Sequence, residues 1–334
     1  MYRRAAMLFA GGLALVAFPV AAQQRPDPQA NVAVSDPAFS KGMGPIVGID
    51  SGHREFQTIA SGYSTFAALL TNDGYRLQDF DAELTPANLA EISILVIADP
   101  RSATPPVSKL PIDEPSAFSD AEIATLHNWV ASGGALLICA DHPPFAGSLR
   151  ALAGSFGFTI NRYAARVSGW PQTKELFNRA NGGLIDGPLT RNVDQVETFF
   201  GTAFTAPAEA TALLKLDSTW VFQARGLPPI PASSNDWRGA TIAVGKGRFV
   251  LMAEAGELSA QISVKDQPMG FNAPAATGNK QFVRNIVRWL ATGSVGEAQP
   301  TQPKTTQSLS EPARQLDGGT AKAPHSMTGA KEDE

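Results

Sequence analysis

Apolar residues fall along the chain in short unbroken runs, separated by stretches with helical spacing. Ile46-Val47-Gly48-Ile49, Ile94-Leu95-Val96-Ile97-Ala98 and Ala135-Leu136-Leu137-Ile138-Cys139-Ala140 have strand length and no polar alternation. That is the pattern of strands buried on both faces of a parallel sheet. A weaker strand fits 75–80. Between the runs, Phe66, Leu69 and Leu70 recur at helical spacing, with Gly74 as a stop. Ser119-Asp120-Ala121-Glu122 is a capping box that opens a second helix, whose inner face is Ile123, Leu126 and Val130, and Gly133-Gly134 ends it. Residues 147–156 suit a third. Strands reappear at 240–244 and 249–253, joined as a hairpin by Gly245-Lys246-Gly247. A last helix is expected over 279–291, with Phe282, Ile286, Trp289 and Leu290 as its stripe and Gly293 after it.

Strands alternating with helices at this spacing predict βαβ units, a parallel sheet and helices on both its faces. Two stretches break the rhythm. A loop at 99–118 carries five prolines, and loops of that length in a compact domain are usually functional lids or disordered. From 161 to 238 the periodicity fades, yet Trp170, Phe199, Phe200, Phe204, Trp220 and Trp237 argue for packing. We expect there an irregular insertion with some antiparallel strand.

The ends of the chain differ from its middle. Arg3 and Arg4, an apolar run over 5–20, and Val20-Ala21-Ala22 form the pattern of a secretory signal peptide, cut after Ala22. The run is short and interrupted by Gly11, Gly12 and Pro19, unlike the roughly 20 apolar residues of a spanning helix. Export to the periplasm or beyond follows, with no stable membrane insertion after cleavage. A Pro- and Gln-containing linker is expected over 23–43. Residues 296–334 have almost no large apolar side chain and read as a disordered tail, which contains His325. The α/β domain thus occupies 44–295.

Charge narrows the partners. Loss of Arg3 and Arg4 with the leader lowers the formal charge from −4 to −6. With no basic block, nucleic acid is not an expected partner. A small molecule, saccharide or peptide remains. The chain has one cysteine, Cys139, which excludes an internal disulfide and a zinc site built from cysteines. Cys139 lies inside a strand run rather than in a turn, and no G-x-S-x-G elbow or phosphate loop occurs. It reads as a packed thiol.

Ligands of open parallel sheets bind beyond the carboxyl ends of the strands. Those ends carry Asp50, His53 and Glu55 after the first run, Asp99 and Arg101 after the second, Asp141-His142 after the third, and Glu254 and Glu257 after 249–253. A carboxylate can orient an imidazole for proton transfer, or both can bind a metal. Each residue also has a plainer reading. Asp50 can close an Asx turn beside a surface histidine. Asp141 can stabilise its loop, and Glu254 can sit at the start of a short helix. His127, on the border of an amphipathic face, reads as a structural histidine.

The segments Asp50-Ser51-Gly52-His53-Arg54-Glu55-Phe56-Gln57-Thr58, Asp73-Gly74-Tyr75, Phe118 to Glu122, Ala140-Asp141-His142-Pro143-Pro144-Phe145-Ala146-Gly147, Thr198-Phe199-Phe200-Gly201, Gly245-Lys246-Gly247-Arg248 and Gly270-Phe271-Asn272 resemble an uncharacterised bacterial domain family. It belongs to the class I glutamine-amidotransferase-like superfamily and is allied to the gliding-motility and intraflagellar-transport domain. The likeness covers about 46–291. It implies a flavodoxin-like, amidotransferase-like parallel sheet sandwiched by helices and lacking the amidotransferase nucleophile. Asp50, His53, Asp141, His142, Glu254 and Asn272 match family positions. The family pattern carries a second His and an Asn in the first loop, where this chain has Gln57 and Glu55, a departure that weakens a metal site in particular.

Two functions are expected. The first is an exported hydrolase without a Cys or Ser nucleophile. Its catalytic set would be His53, His142, Asp50, Asp141 and Glu254. A divalent metal such as zinc would sit on His53, His142 and Asp141, with Asn272, Glu55 and Gln57 toward substrate. The alternative is a non-catalytic ligand- or protein-binding module using the same edge.

Overall fold

The structure is a computed structural model and describes residues 24–102, 114–223 and 228–295. The expected signal peptide, the tail and the centre of the proline-rich loop lie outside these residues.

The apolar runs form the strands they predict: β1 (Ile46–Asp50), β2 (Arg76–Phe80), β3 (Ile94–Ala98) and β4 (Ala135–Cys139). A helix follows β1, α1 (Ser64–Asn72); another precedes β4, α2 (Asp120–Ala131); a third follows it, α3 (Phe145–Ser155). The hairpin is β5 (Trp237–Val244) and β6 (Gly247–Met252), and the chain returns in α4 (Asn279–Thr292). The strands stand in the order β2-β1-β3-β4-β6-β5. The first five run parallel, and β5 turns back antiparallel on β6. The sequence expectation of a flavodoxin-like α/β sheet is met.

Side-chain alternation explains the two layers. Ile94, Val96 and Ala98 of β3, Leu137 and Cys139 of β4, and Val250 and Met252 of β6 point to one face. There they pack with Phe66, Leu69 and Leu70 of α1 and Phe282, Ile286 and Leu290 of α4. Leu95, Ile97, Leu136, Ile138, Phe249 and Leu251 point to the other face, against Leu126 and Val130 of α2 and Leu149 and Leu152 of α3. Because both faces are covered, polar groups can appear only at the strand ends.

Helix termini follow local chemistry. The capping box is present, with Ser119 and Glu122 satisfying each other's backbone N–H groups. Gly293 is left-handed at the end of α4. Residues 161–238 contain antiparallel pairs, Ala164–Val167 with Trp220–Gln223 and Glu175–Asn178 with Gln195–Thr198. Phe204–Thr205 and Thr211–Lys215 extend the main sheet beyond β5. No helix of the described residues is long and apolar enough to cross a membrane.

The segment read as a linker is fastened to the domain over its described part. Arg25–Pro26 pair with Ala260–Ile262. Farther on, Ala38 N–H donates to the Asp73 carboxylate at 2.8 Å, which also takes Arg284 at 2.9 Å. Its composition concealed this, because the attachment combines backbone groups and the buried acids Asp27 and Asp73 with scattered apolar contacts from Val32, Val34, Ala38 and Phe39 that show no regular spacing. Phe39 lies over Gly74, whose φ is +94° and where a Cβ would stand 2.1 Å from the Phe39 carbonyl oxygen. Gly74→Ala is therefore expected to destabilise the fold by more than about 1 kcal/mol, read from the urea midpoint. An unchanged midpoint would contradict this seating of the N-terminal segment.

Candidate functional site

Asp50 ends β1 and is fully buried. The loop after it winds around its carboxylate. One oxygen accepts from Gly52 N–H at 3.1 Å, the Asx turn anticipated from sequence, and the other lies 2.8 Å from His53 Nδ1. Glu55 folds back so that one carboxylate oxygen accepts from His53 N–H at 3.0 Å, while the other stands 3.8 Å from His53 Nδ1 with no partner. On the far side of the ring, Nε2 lies 3.2 Å from Glu122, whose other oxygen completes the capping box of α2. Phe118 packs on the ring at 4.4 Å. The His53 side chain is only 13% exposed. The first loop thus docks on the start of α2 through an imidazole held by carboxylates at both ends.

These contacts fix protonation. Burial would lower the His53 pKa, but the hydrogen bond and charge of Asp50, with Glu122 and Glu55 adding to them, outweigh it and bring it to about 9. Burial, together with the adjoining Asp50 carboxylate, pushes Glu55 up to about 9 as well. Near neutral pH, His53 is an imidazolium donating from both nitrogens, and Glu55 is a neutral acid.

The next strand end is stitched to this loop. Asp99 follows β3 with φ +56°. Its carbonyl accepts from Phe56 N–H at 3.0 Å, and Arg101 N–H donates to the His53 carbonyl at 3.0 Å. The Arg101 guanidinium holds both oxygens of buried Glu114, at 2.8 and 3.0 Å. The Asp99 carboxylate accepts from Asp141 N–H at 3.3 Å and is otherwise enclosed. Burial and the neighbouring Asp141 push its pKa well up.

Asp141 and His142, after β4, form a separate neighbourhood. Asp141 accepts from His142 N–H at 2.5 Å. Burial and the charge of Glu254 raise its pKa well above the usual carboxylate range. His142 Nδ1 lies 2.7 Å from the Pro143 carbonyl, and its ring packs against Phe200 at 4.6 Å and Phe145 at 5.8 Å. Glu254, after β6, is buried and accepts from Gly256 N–H at 2.6 Å and Glu257 N–H at 3.0 Å. It closes the turn at Gly256–Leu258, the plainer of the roles expected for it. Beneath lies fully buried Arg238, bonded to the Ala165 carbonyl at 3.1 Å and 3.5 Å from Glu175.

The expected metal set of His53, His142 and Asp141 is not assembled. His142 is turned to its own following carbonyl and enclosed by phenylalanines. Among the described residues, the three ligand groups that converge are Asp50, His53 and Glu55, with one ligand atom from each lying within 4.8 Å of the others. Of the expected substrate residues, only Glu55 stands in this cluster. Gln57 is buried and accepts from Gln261 at 3.1 Å, and Asn272 donates to Asp27 of the N-terminal segment. His127 packs on Phe156 at 5.1 Å. Cys139 is buried inside β4, and its enclosure raises the thiol pKa well up.

A surface feature went unread in the sequence. Phe56, Phe145, His142, Phe200 and Trp170 form one continuous row, with successive ring centroids 5.7, 5.8, 4.6 and 5.4 Å apart. Phe56 is 43% and Trp170 38% exposed. Arg101 lies over Phe145 at 5.5 Å, and Arg166 lies over both Phe200 at 4.3 Å and Trp170 at 4.4 Å. The Arg166 Nε is buried and makes no hydrogen bond. Phe200 reaches the row from a backbone with φ +84°, an uncommon conformation for an aromatic residue.

No family model and no curated sequence matches the chain. Among solved structures it resembles the mmIFT52 N-terminal domain, with a TM-score of 0.54 and 16% identity over 74% of this chain and 98% of that one. A putative ThuA-like protein from Bacteroides uniformis superposes with a TM-score of 0.42 and 12% identity, over 80% of this chain and 96% of that one. A ThuA-like protein from Parabacteroides merdae gives 0.43 and 10%, over 77% and 94%. At these identities the likeness concerns the fold.

A pH dependence follows from the first cluster. His53 is raised from 6.5 to about 9 and Glu55 from 4.5 to about 9 in the folded state. For each, the folded form binds a proton the unfolded form has released, so stability is full below the unfolded pKa and falls as pH rises toward 9. Urea denaturation in metal-free buffer at pH 5, 7 and 9 should show stability decreasing with pH, with a shallower decrease in Glu55→Gln. A flat or rising profile would refute the assignment.

Proposed function

We propose that the chain is an exported ligand-binding domain that captures an acidic saccharide on the aromatic row at the carboxyl edge of its sheet. One observation carries the reading: five rings from four separate segments are aligned at the surface and flanked by two guanidinium groups. Sugar rings present apolar C–H faces that settle on aromatic faces, and polar edges that meet N–H donors. Ligand sites of this kind combine an aromatic lining with a few placed polar groups. Arg166, which has no carboxylate partner among the described residues, supplies a fork suited to a uronate carboxylate. Export rests on the signal-peptide pattern of residues 1–22 and is part of the proposal.

The polar groups nearby favour binding over turnover. Both nitrogens of His53 are engaged by carboxylates, and Glu254 has both oxygens on backbone N–H groups. A specific observation supports the second reading, a hydrolase. Burial and the Glu254 charge push the Asp141 pKa well above the usual carboxylate range at the same edge, the direction a general acid needs. In that reading Asp141→Asn abolishes turnover of a saccharide that still binds.

Calorimetry with neutral and uronate-containing oligosaccharides tests the proposal. Phe200→Ala and Trp170→Ala should each weaken binding about tenfold or more, the usual cost of removing a central aromatic anchor. Arg166→Ala should remove the preference for the uronate while sparing neutral sugar. If neither saccharide binds, or if binding ignores the two aromatic substitutions, the reading fails. A peptide bound by the same residues would replace it.

A further inference from the structure

We infer that Asp50, His53 and Glu55 form a divalent-cation site of the zinc class, with Glu122 as the residue that orients His53. This site uses neither Asp141 nor His142 and does not depend on the saccharide reading.

The donor set is one imidazole and two carboxylates, ligand types that zinc accepts, and three protein ligands leave a tetrahedral ion a further position for water. Ligand atoms around a tetrahedral zinc stand about 3.3 Å apart, given bonds near 2 Å. Here His53 Nδ1 is 2.8 Å from Asp50 Oδ2 and 3.8 Å from Glu55 Oε1. These distances straddle that value, so side-chain shifts of about half an ångström would close the geometry around an ion.

Glu55 supplies a second, independent sign. Its side chain is fully enclosed, and no N–H or hydroxyl donor reaches Oε1; the carboxyl group faces the Asp50 carboxylate, which it can meet only through a shared proton or an ion. A buried polar atom without a partner calls for an explanation, an ion among them. The other Glu55 oxygen is held by His53 N–H. The carboxylate therefore cannot swing Oε1 away to find another donor, and it remains aimed at His53 Nδ1.

The outer contacts match what a metal-bound histidine needs. Such a histidine donates its other ring N–H to a carboxylate or carbonyl, which fixes the tautomer and the plane of the ring. Glu122 does this at 3.2 Å, and it is itself anchored by the capping box at the start of α2. Asp50 is likewise braced, with its second oxygen on Gly52 N–H. On binding, the ion takes the Nδ1 lone pair and a Glu55 carboxylate oxygen, and two protons, one from Nδ1 and one from the Glu55 carboxyl group, leave to solvent. The Nε2–H bond to Glu122 stays in place.

The full chain, stripped with chelator and dialysed, is titrated with Zn²⁺ by calorimetry and with Co²⁺ by visible absorption. One ion per chain is expected, with Co²⁺ bands typical of nitrogen and oxygen ligation. Glu55→Gln keeps the shape of the side chain and is the deciding variant. It should weaken binding at least tenfold while the circular-dichroism melt shows a folded protein. Asp50→Asn should do the same. Glu122→Gln should cost about tenfold, as loss of an outer-shell carboxylate does. His127→Ala should leave affinity unchanged. Failure of both ions to bind, unchanged affinity in folded Glu55→Gln, or equal loss in His127→Ala would each overturn the site. None of these results bears on saccharide binding by the Phe200 row, so the two proposals fail separately.

Discussion

Burial of β3, β4 and β6 on both faces is the constraint on which the molecule depends. A strand enclosed by helices on either side offers no lateral position for a charged group. Ionisable side chains are admitted only where each strand leaves the sheet. The ends lie side by side, so the acids they carry gather at one edge, and most are still deep enough to be starved of solvent. Asp50, Asp99, Glu254 and Glu257 are all buried there. Their charges are managed by backbone N–H groups, by one another's protons, and by the enclosed guanidinium of Arg238.

How the chain manages them differs from one strand end to the next. Around Asp50 the carboxylates converge on an imidazole. Around Glu254 they are absorbed by a tight turn. Around Asp141 an acid whose pKa is pushed well up by burial stands beside a surface of aromatic rings. Residue type alone would have assigned all three the same chemistry. Local backbone geometry separates them, because it decides whether a carboxylate oxygen meets an N–H, another acid or open space.

The sheet was legible because apolar runs of strand length carry their own burial, and the capping box and the glycine stops mark helix ends within a residue or two. The strand-end logic also brought Asp50, His53 and Glu55 forward. What sequence could not convey was which candidates share a point in space. His53 meets Glu122 across 69 positions, and nothing in a capping box announces a second task for its glutamate. The aromatic row was equally hidden: Phe56, Phe145, Trp170 and Phe200 come from unrelated loops, two of them in the stretch where periodicity fails. Asn272 and Gln57 were expected toward substrate but are occupied by internal carboxylate and amide partners, a distinction that only contacts reveal.

The attachment of residues 24–43 has a consequence for how the chain acquires its structure. The partners of this early segment are contributed late: Arg25–Pro26 by Ala260–Ile262, Asp27 by Asn272, and the Ala38 region by Arg284 through Asp73. Contacts between the two extremes of a domain carry a large loop-closure cost and slow the search for the native arrangement. During synthesis residues 25–27 must wait, unpaired, until Ala260–Ile262 and Asn272 have emerged, whereas Ala38 and Phe39 can settle early on Asp73. The start of the segment is thus locked by distant pieces, and a chain shortened before Ala260 would lack the clasp that holds Arg25–Asp27.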